Sequence, residues 1–343
     1  MAYEADAHGA TYPVSMARSH FTLAALATSA VDGLDIAGAT PIGSPGGDFD
    51  AALLTGRDGR HWIVRVPRSE SAEAAQSADL VALRALSAGV RARLPFAVTT
   101  FAGQAPAGDT RAVVYEFVYG AKAELASLDH DLATSIGEAI AAIHALPTSF
   151  VADSGLPSRT GIEAARDAAK LFERAIATRV VPAVLQQRWE RAIGDPTLWQ
   201  FAPAVVNGAL EAESFLASDG VVTGLLGWQS LHVGDPAVDL HWLLRAPGDG
   251  IAETAFGAYA RVRGSVDRQL TERARLLNEL ELAKWLLHGT ATKSTEIVDD
   301  AVELMSGLVD TISQNDTASI RRPESTLDVD EVEELLSRTA TAR

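Results

Sequence analysis

The feature that most restricts the fold of this chain is a change of hydrophobic period near Gly120. From Asp32 to about Val118 the apolar residues come in short β-prone runs separated by turn residues. Ala51 to Leu54 and Trp62 to Val66 flank Arg57-Asp58-Gly59-Arg60, whose Asp-Gly pair marks a hairpin. A helical pattern follows from Ser71 to Leu86, with Ala75, Ala78, Ala82 and Leu86 on one face, and then Pro95 to Thr100 and Arg111 to Val118 read as two further strands. Beyond Gly120 the period is helical. Leu132, Ile136, Ile140 and Ile143 recur at three- and four-residue steps until Pro147 stops them, and similar patterns occupy about 162–176, 180–193, 250–263, 268–290 and 295–313. One hairpin interrupts the helices: Ser214 to Ala217 and Val221 to Leu226, around Ser218-Asp219-Gly220.

Such an order implies an α+β protein with a small sheet-rich lobe over 16–118 and a larger helical lobe over 119–315. Residues 1–15 lack periodicity and are expected to be a disordered extension, with Met16 as an alternative start. Residues 16–31 loosely imitate a signal peptide, but Thr22, Thr28 and Ser29 break the apolar run, and an amphipathic helix through Leu23, Leu26 and Val31 fits better. The tail 316–343 is polar, and only Asp328 to Ser337 could form a helix, with Val329, Val332, Leu335 and Leu336 on one side.

Charge and cysteine content narrow the setting. Lys+Arg 29 against Asp+Glu 45 leaves a net charge of −16 over 343 residues, which disfavours nucleic acid or an anionic membrane as partner. The absence of cysteine removes disulfides, thiolate metal sites and a cysteine nucleophile, and a cytoplasmic setting is expected. No stretch reaches the roughly 20 apolar residues of a membrane span. The only lysines are Lys122, Lys170, Lys284 and Lys293, so the first third of the chain has none.

Three ordered blocks carry a resemblance. Asn207-Gly208-Ala209-Leu210-Glu211-Ala212-Glu213-Ser214 resembles the loop H-G-D-L-H-P-G-N, Gly224-Leu225-Leu226-Gly227-Trp228 resembles G-V-I-D-W, and Gly234-Asp235-Pro236-Ala237-Val238-Asp239-Leu240 matches G-D-P-x-x-D-L. These are signatures of the aminoglycoside and macrolide phosphotransferase family. Trp62 to Arg68 is similar to the family's nucleotide-lobe strand, Val113 to Val118 to its interlobe hinge, and Ile136 to Pro147 to the helix before the catalytic loop. The resemblance implies a two-lobed protein-kinase-like fold with a small β-rich amino-terminal lobe and a larger helical carboxy-terminal lobe.

It also implies where the chemistry of phosphoryl transfer should sit. A carboxylate takes the acceptor hydroxyl's proton, metal ions bridge the phosphates and a cation holds them. The family's base position falls on Ala209, its metal-ligand positions on Ser214 and Gly227, and the first loop histidine on Asn207. Alanine accepts no proton, glycine offers no ligand, and Mg²⁺ requires hard oxygen donors. Arg65 stands where the resemblance expects the phosphate-binding cation, with Asp79, or alternatively Glu73, as its helix acid. The turn containing Gly46 and Gly47 could cover phosphate or be an ordinary connector, and the hinge Glu116, Phe117 and Val118 could hold a base through its backbone.

Two readings remain open at this stage. The first is a degenerate, pseudokinase-like family member that binds ATP or another nucleotide without metal, or else a small molecule or a protein partner. The second is an active Mg-dependent small-molecule kinase in which Glu211 and Glu213 replace the missing acids. Asp235 before Pro236 reads as a helix cap, Asp239 as a brace for the same loop, and His144 and His241 as structural histidines.

Overall fold

The structure, a computed structural model, describes residues 17–43, 47–264 and 267–320, with side chains through residue 314 in the last of these segments. The expected extension at 1–15, the alternative start at Met16, Gly46 and the tail helix at 328–337 lie outside the described residues. The described chain runs α1 (His20–Ala30), β1 (Ile36–Ile42), β2 (Phe49–Gly56), β3 (His61–Pro67), α2 (Glu70–Ala85), α3 (Ala88–Arg91), β4 (Ala97–Val98), β5 (Phe101–Ala107) and β6 (Thr110–Glu116). It continues through β7 (Ala121–Lys122), α4 (His130–His144), α5 (Ser149–Asp153), α6 (Gly161–Ala177), α7 (Ala183–Gly194), β8 (Ala204–Val206), β9 (Phe215–Ser218), β10 (Val221–Leu225) and β11 (His232–Gly234). Three helices close it: α8 (Ile251–Arg263), α9 (Leu270–Thr292) and α10 (Thr295–Ile320). Two compact units result, one of residues 1–167 and 195–278, the other of 168–194 and 279–343.

In the first unit an antiparallel sheet of order β1-β2-β3-β6-β5 carries strict alternation along β2 and β3, so one face of each is fully buried. That face, Ala52, Leu54, Trp62, Val64, Val66, Ala112 and Val114, packs against Leu23 and Ala27 of α1. Ser19 caps α1 by accepting the Thr22 N–H at 3.2 Å, and the helix ends one residue before Val31. On β2 the buried Asp50 is gripped from both sides, by Arg68 Nε at 2.6 Å and Arg18 Nη1 at 3.3 Å. Arg68 also donates to the Gly47 carbonyl at 3.3 Å, which anchors the exit of the glycine-rich turn to the sheet.

The other sheet face meets the main core through Val113 and Tyr115, with Leu80 and Leu83 of α2. The buried face of α2 is Ala72, Gln76, Leu80, Ala82 and Leu83; of the expected row Ala82 and the capping Leu86 are buried, whereas Ala75 and Ala78 are only half-buried. The large leucines decide the helix's rotation because they bury more apolar area than alanines do. A second difference lies at 95–107. The outer strand of the sheet is β5, whereas Ala97 and Val98 leave it to pair in parallel with β10 in a separate sheet of order β4-β10-β9-β7.

Helix α4 is started by Asp129, which accepts the Leu132 N–H at 2.8 Å, and lies tightly against α8. Gly137 makes this approach feasible, since a Cβ there would stand 2.2 Å from the Ala255 carbonyl oxygen. Strands β8 and β11 form a two-stranded antiparallel ladder in which Val206 pairs with His232 and Ala204 with Gly234, so residue 207 leaves it at the end where His232 enters. In the second unit Glu279 is the focus: Arg188 Nε donates to both its oxygens at 3.0 Å and Trp189 Nε1 donates at 2.9 Å.

Candidate functional site

The segments 207–214 and 224–228 are held together by their own polar groups. The side-chain amide of the fully buried Asn207 donates to the Gly227 carbonyl at 2.7 Å, and its Oδ1 accepts the Ala209 N–H at 3.2 Å. Asp239 accepts the Asn207 N–H on Oδ2 and the Gly208 N–H on Oδ1, each at 2.7 Å. Behind it, His144 Nε2 lies 3.1 Å from Asp239 Oδ2, while His144 Nδ1 meets the Tyr259 hydroxyl at 2.9 Å. Both ring nitrogens of His144 are therefore used inside the core, and Asp239 does brace the loop. Asp235 caps the turn at Pro236 by accepting the Ala237 N–H at 2.9 Å. His241 opens the next turn, 241–245.

The structure brings Ala209, Ser214 and Gly227, where the resemblance expects the base and the metal ligands, into one loop pair. Ala209 is exposed at its surface. The Ser214 carbonyl accepts the Leu226 N–H at 2.8 Å, next to Gly227, while the Ser214 hydroxyl accepts the Glu211 N–H at 3.2 Å. Gly227 has a left-handed backbone, φ +75°, which glycine adopts without steric cost. The two acids that could have relocated into this loop point elsewhere. Glu211 is ion-paired with Arg245 at 2.5 Å, and Glu213, 75% exposed, has Lys122 at 3.8 Å. Among the described residues no cluster of three or more histidine or carboxylate side chains is arranged to hold a metal ion. A serine hydroxyl engaged by backbone and a glycine do not make a Mg²⁺ donor set, so the metal of the family's chemistry does not fit these residues.

The nucleotide-lobe residues give a different picture. Arg65 projects from β3 with its guanidinium over the Phe49 ring, 3.8 Å from the centroid, and no ion pair joins it to Asp79 or Glu73 among the described residues. Asp79 Oδ1 instead accepts the Trp228 N–H at 2.8 Å, and Oδ2 faces the Tyr115 hydroxyl at 3.4 Å. The helix acid therefore latches α2 to the backbone just after Gly227 and to the strand that leads into the hinge. Burial pushes the Asp79 carboxyl above its usual range, against the opposing pull of the Trp228 N–H, the Arg65 charge and the Tyr115 hydroxyl. Burial and then the Asp79 charge likewise push the Tyr115 phenol up.

This latch gives a signed pH dependence. With a folded-state pKa above the ordinary 3.8, the folded protein binds the Asp79 proton more readily than the unfolded chain, so wild type loses stability as pH rises through that interval. Asp79→Asn keeps an acceptor for Trp228 and removes the charge. The stability of the variant relative to wild type is expected to rise from about pH 4 upward and then level off. Urea unfolding across that range measures it; a flat or falling difference would contradict the assignment.

The hinge is fixed at both ends. The Glu116 N–H donates to the Thr100 carbonyl at 2.9 Å and the Phe117 N–H to the His61 carbonyl at 3.1 Å. His61 Nδ1 and the Tyr119 hydroxyl lie 2.9 Å apart, and Thr223 Oγ1 donates to the Tyr119 carbonyl at 2.7 Å. The Glu116 carboxylate turns outward to Arg60 at 3.1 Å. The Glu116 and Phe117 N–H groups are thus spent within the sheet, so of the hinge backbone expected to meet a base these two donors are already taken. Tyr115 and Gln229 escape a reading of the sequence alone. Their signal is proximity to the hinge and to Gly227, which becomes meaningful only once the fold places them.

Comparison with known proteins bears on the fold. The fold is shared with the macrolide 2'-phosphotransferase MphH from Brachybacterium faecium, 23% identical, with a TM-score of 0.68 covering 83% of this chain and 97% of that one. A type I macrolide 2'-phosphotransferase is 25% identical, with a TM-score of 0.67 over 83% of this chain and 96% of its own. The GDP and kanamycin complex of APH(2")-IIIa is 19% identical, with a TM-score of 0.67 over 84% and 97%. The sequence matches the phosphotransferase enzyme family, APH, over residues 39–286. With a kinase-like fold and a match across most of its length, the chain belongs to the APH phosphotransferase family.

Proposed function

We propose that this protein keeps the nucleotide-holding frame of its family and has lost phosphoryl transfer, acting as a metal-independent nucleotide-binding protein. The observation that carries the reading is the loop pair itself: Ala209, Ser214 and Gly227 occupy the base and ligand positions in a scaffold that Asn207, Asp239 and Asp79 still hold in order. Loss of a general base alone forfeits about 10² to 10⁴ in rate. Loss of charge stabilisation at the transferring group costs a similar or larger factor. Although such effects are not additive, together they leave no route to ordinary turnover. Nucleotide binding is supported by Arg65 above the sheet and by a relative solved with GDP.

The test is ligand-induced stabilisation by ATP and by GTP, each with Mg²⁺ and with EDTA. At a ligand concentration about 100 times Kd the expected gain is about 2.7 kcal/mol, and it should be the same with and without metal. A gain that appears only with Mg²⁺, accompanied by release or transfer of the terminal phosphate, would establish the active alternative instead. No gain with either nucleotide would remove nucleotide binding from the proposal.

A further inference from the structure

Gly227 leaves a gap where the family has an acid, and the structure shows what fills it. Its carbonyl is taken by Asn207, and the following N–H, that of Trp228, is taken by Asp79. With φ +75° the chain turns at this point and returns Gln229 over the glycine. A Cβ built on Gly227 would lie 3.3 Å from Gln229 Oε1 and 3.8 Å from Nε2. The Gln229 carboxamide, on an exposed residue, therefore stands at the point from which the family's metal-binding side chain would project.

The exchange of groups changes what the site attracts. A carboxylate facing a phosphate is repulsive unless a cation stands between them. A carboxamide is neutral, and rotation about its last bond presents either its oxygen or its two N–H donors. Around it Arg65, held over Phe49, supplies a cation that faces the Asp79 carboxylate, and both Asp79 oxygens are turned to Trp228 and Tyr115. Glu211 is neutralised by Arg245, and Ala209, Ser214 and Gly227 bear no charge. We infer that Gln229 is a phosphate-facing donor that replaces the metal-bridged acid, so that Arg65 and Gln229 receive the phosphates of a nucleotide directly. This rests on the nucleotide-binding reading above and names the residue that makes it metal-independent.

The isosteric variant Gln229→Glu tests it, because an exposed surface glutamate does not threaten folding. Binding of the triphosphate that stabilises wild type, ATP or GTP, and of the matching nucleoside should be titrated by calorimetry in EDTA and in Mg²⁺. In EDTA, Gln229→Glu is expected to weaken the triphosphate by about tenfold or more, since like charges across a contact repel. Added Mg²⁺ should recover much of that loss in the variant, whereas wild type should respond little. The nucleoside should bind both proteins alike. If the variant binds the triphosphate in EDTA as wild type does, or loses triphosphate and nucleoside equally, Gln229 does not face phosphate and the inference fails while the nucleotide reading stands. If wild type binds neither triphosphate, both fail together.

Discussion

Arg273→Ala is expected to lower stability by about 3–5 kcal/mol, the cost of breaking a buried ion pair by removing one partner. The side chain is fully buried and all five of its N–H groups are spent. Nε and Nη2 reach Asp235 at 2.9–3.1 Å, Nη1 and Nη2 reach Asp267 at 2.8 and 3.0 Å, and Nη1 also donates to the Leu198 carbonyl at 3.1 Å. The Phe201 ring covers the guanidinium at 4.6 Å. Burial pulls the Arg273 pKa down, but the hydrogen bonds and charges of Asp267 and Asp235 outweigh it and raise the net value. Truncation leaves the Asp235 carboxylate, 3% exposed, without its cation, while Asp267, 27% exposed, can turn to water. The melting temperature should fall by on the order of 10 °C. Arg273→Lys should recover only part of the loss, because one ammonium cannot reproduce a planar fork to two carboxylates. A loss under about 1 kcal/mol by urea unfolding would show that the network is not cooperative in the way its geometry requires.

How much of this was legible beforehand differs from element to element. The two Asp-Gly hairpins, the helix around Ile136 and Ile140 and the blocks at 207–214, 224–228 and 234–240 carry strong local signals, and each forms where the pattern places it. β5 escapes the sequence pattern because Phe101–Ala107, with three alanines, a glycine and a proline, contains no β-branched residue. Pro95 to Thr100 holds Val98, Thr99 and Thr100 and so looks more like a strand than the true one does. Its two paired residues belong to another sheet, a long-range choice that no local propensity encodes. On α2 the expected face holds at Ala82 and Leu86 but not at Ala75 and Ala78, since alanines count as apolar without deciding which side is buried.

At the site, the sequence alone displays which of the family's side chains are replaced but not what the surrounding residues contact. Arg65 and Asp79 were natural partners by their positions. In three dimensions Asp79 turns to Trp228 and Tyr115, which lie 149 and 36 residues away along the chain. Gln229 carried no motif at all. Its meaning comes from the left-handed turn at Gly227, a backbone property that becomes visible only with coordinates.

The proposal that the scaffold stands apart from the family's chemistry yields the second large effect. If the loop at 207–209 is held by Asp239 rather than by anything its chemistry positions contribute, then Asp239→Asn should be severe and Ala209→Asp nearly silent for stability. Asp239 is fully buried, and each of its oxygens accepts a backbone N–H at 2.7 Å, with His144 beside Oδ2. An asparagine there must point its NH₂ either at the Gly208 N–H or at Asn207 and His144, so one buried donor loses its acceptor and the charge that strengthened both bonds is gone. An unsatisfied buried donor costs about 1–3 kcal/mol and hydrogen bonds to a charged group are worth about 1.5–3 kcal/mol, so a loss of about 3 kcal/mol is expected. Nucleotide-induced stabilisation should shrink with it, because Gly227 is tied to the same loop through Asn207. Ala209 is exposed, and a substitution there should stay within about 0.5 kcal/mol. Thermal and urea unfolding of the two variants compare them directly. An Asp239→Asn protein as stable as wild type would mean that the loop is held by other groups and that Asp239 is not its brace.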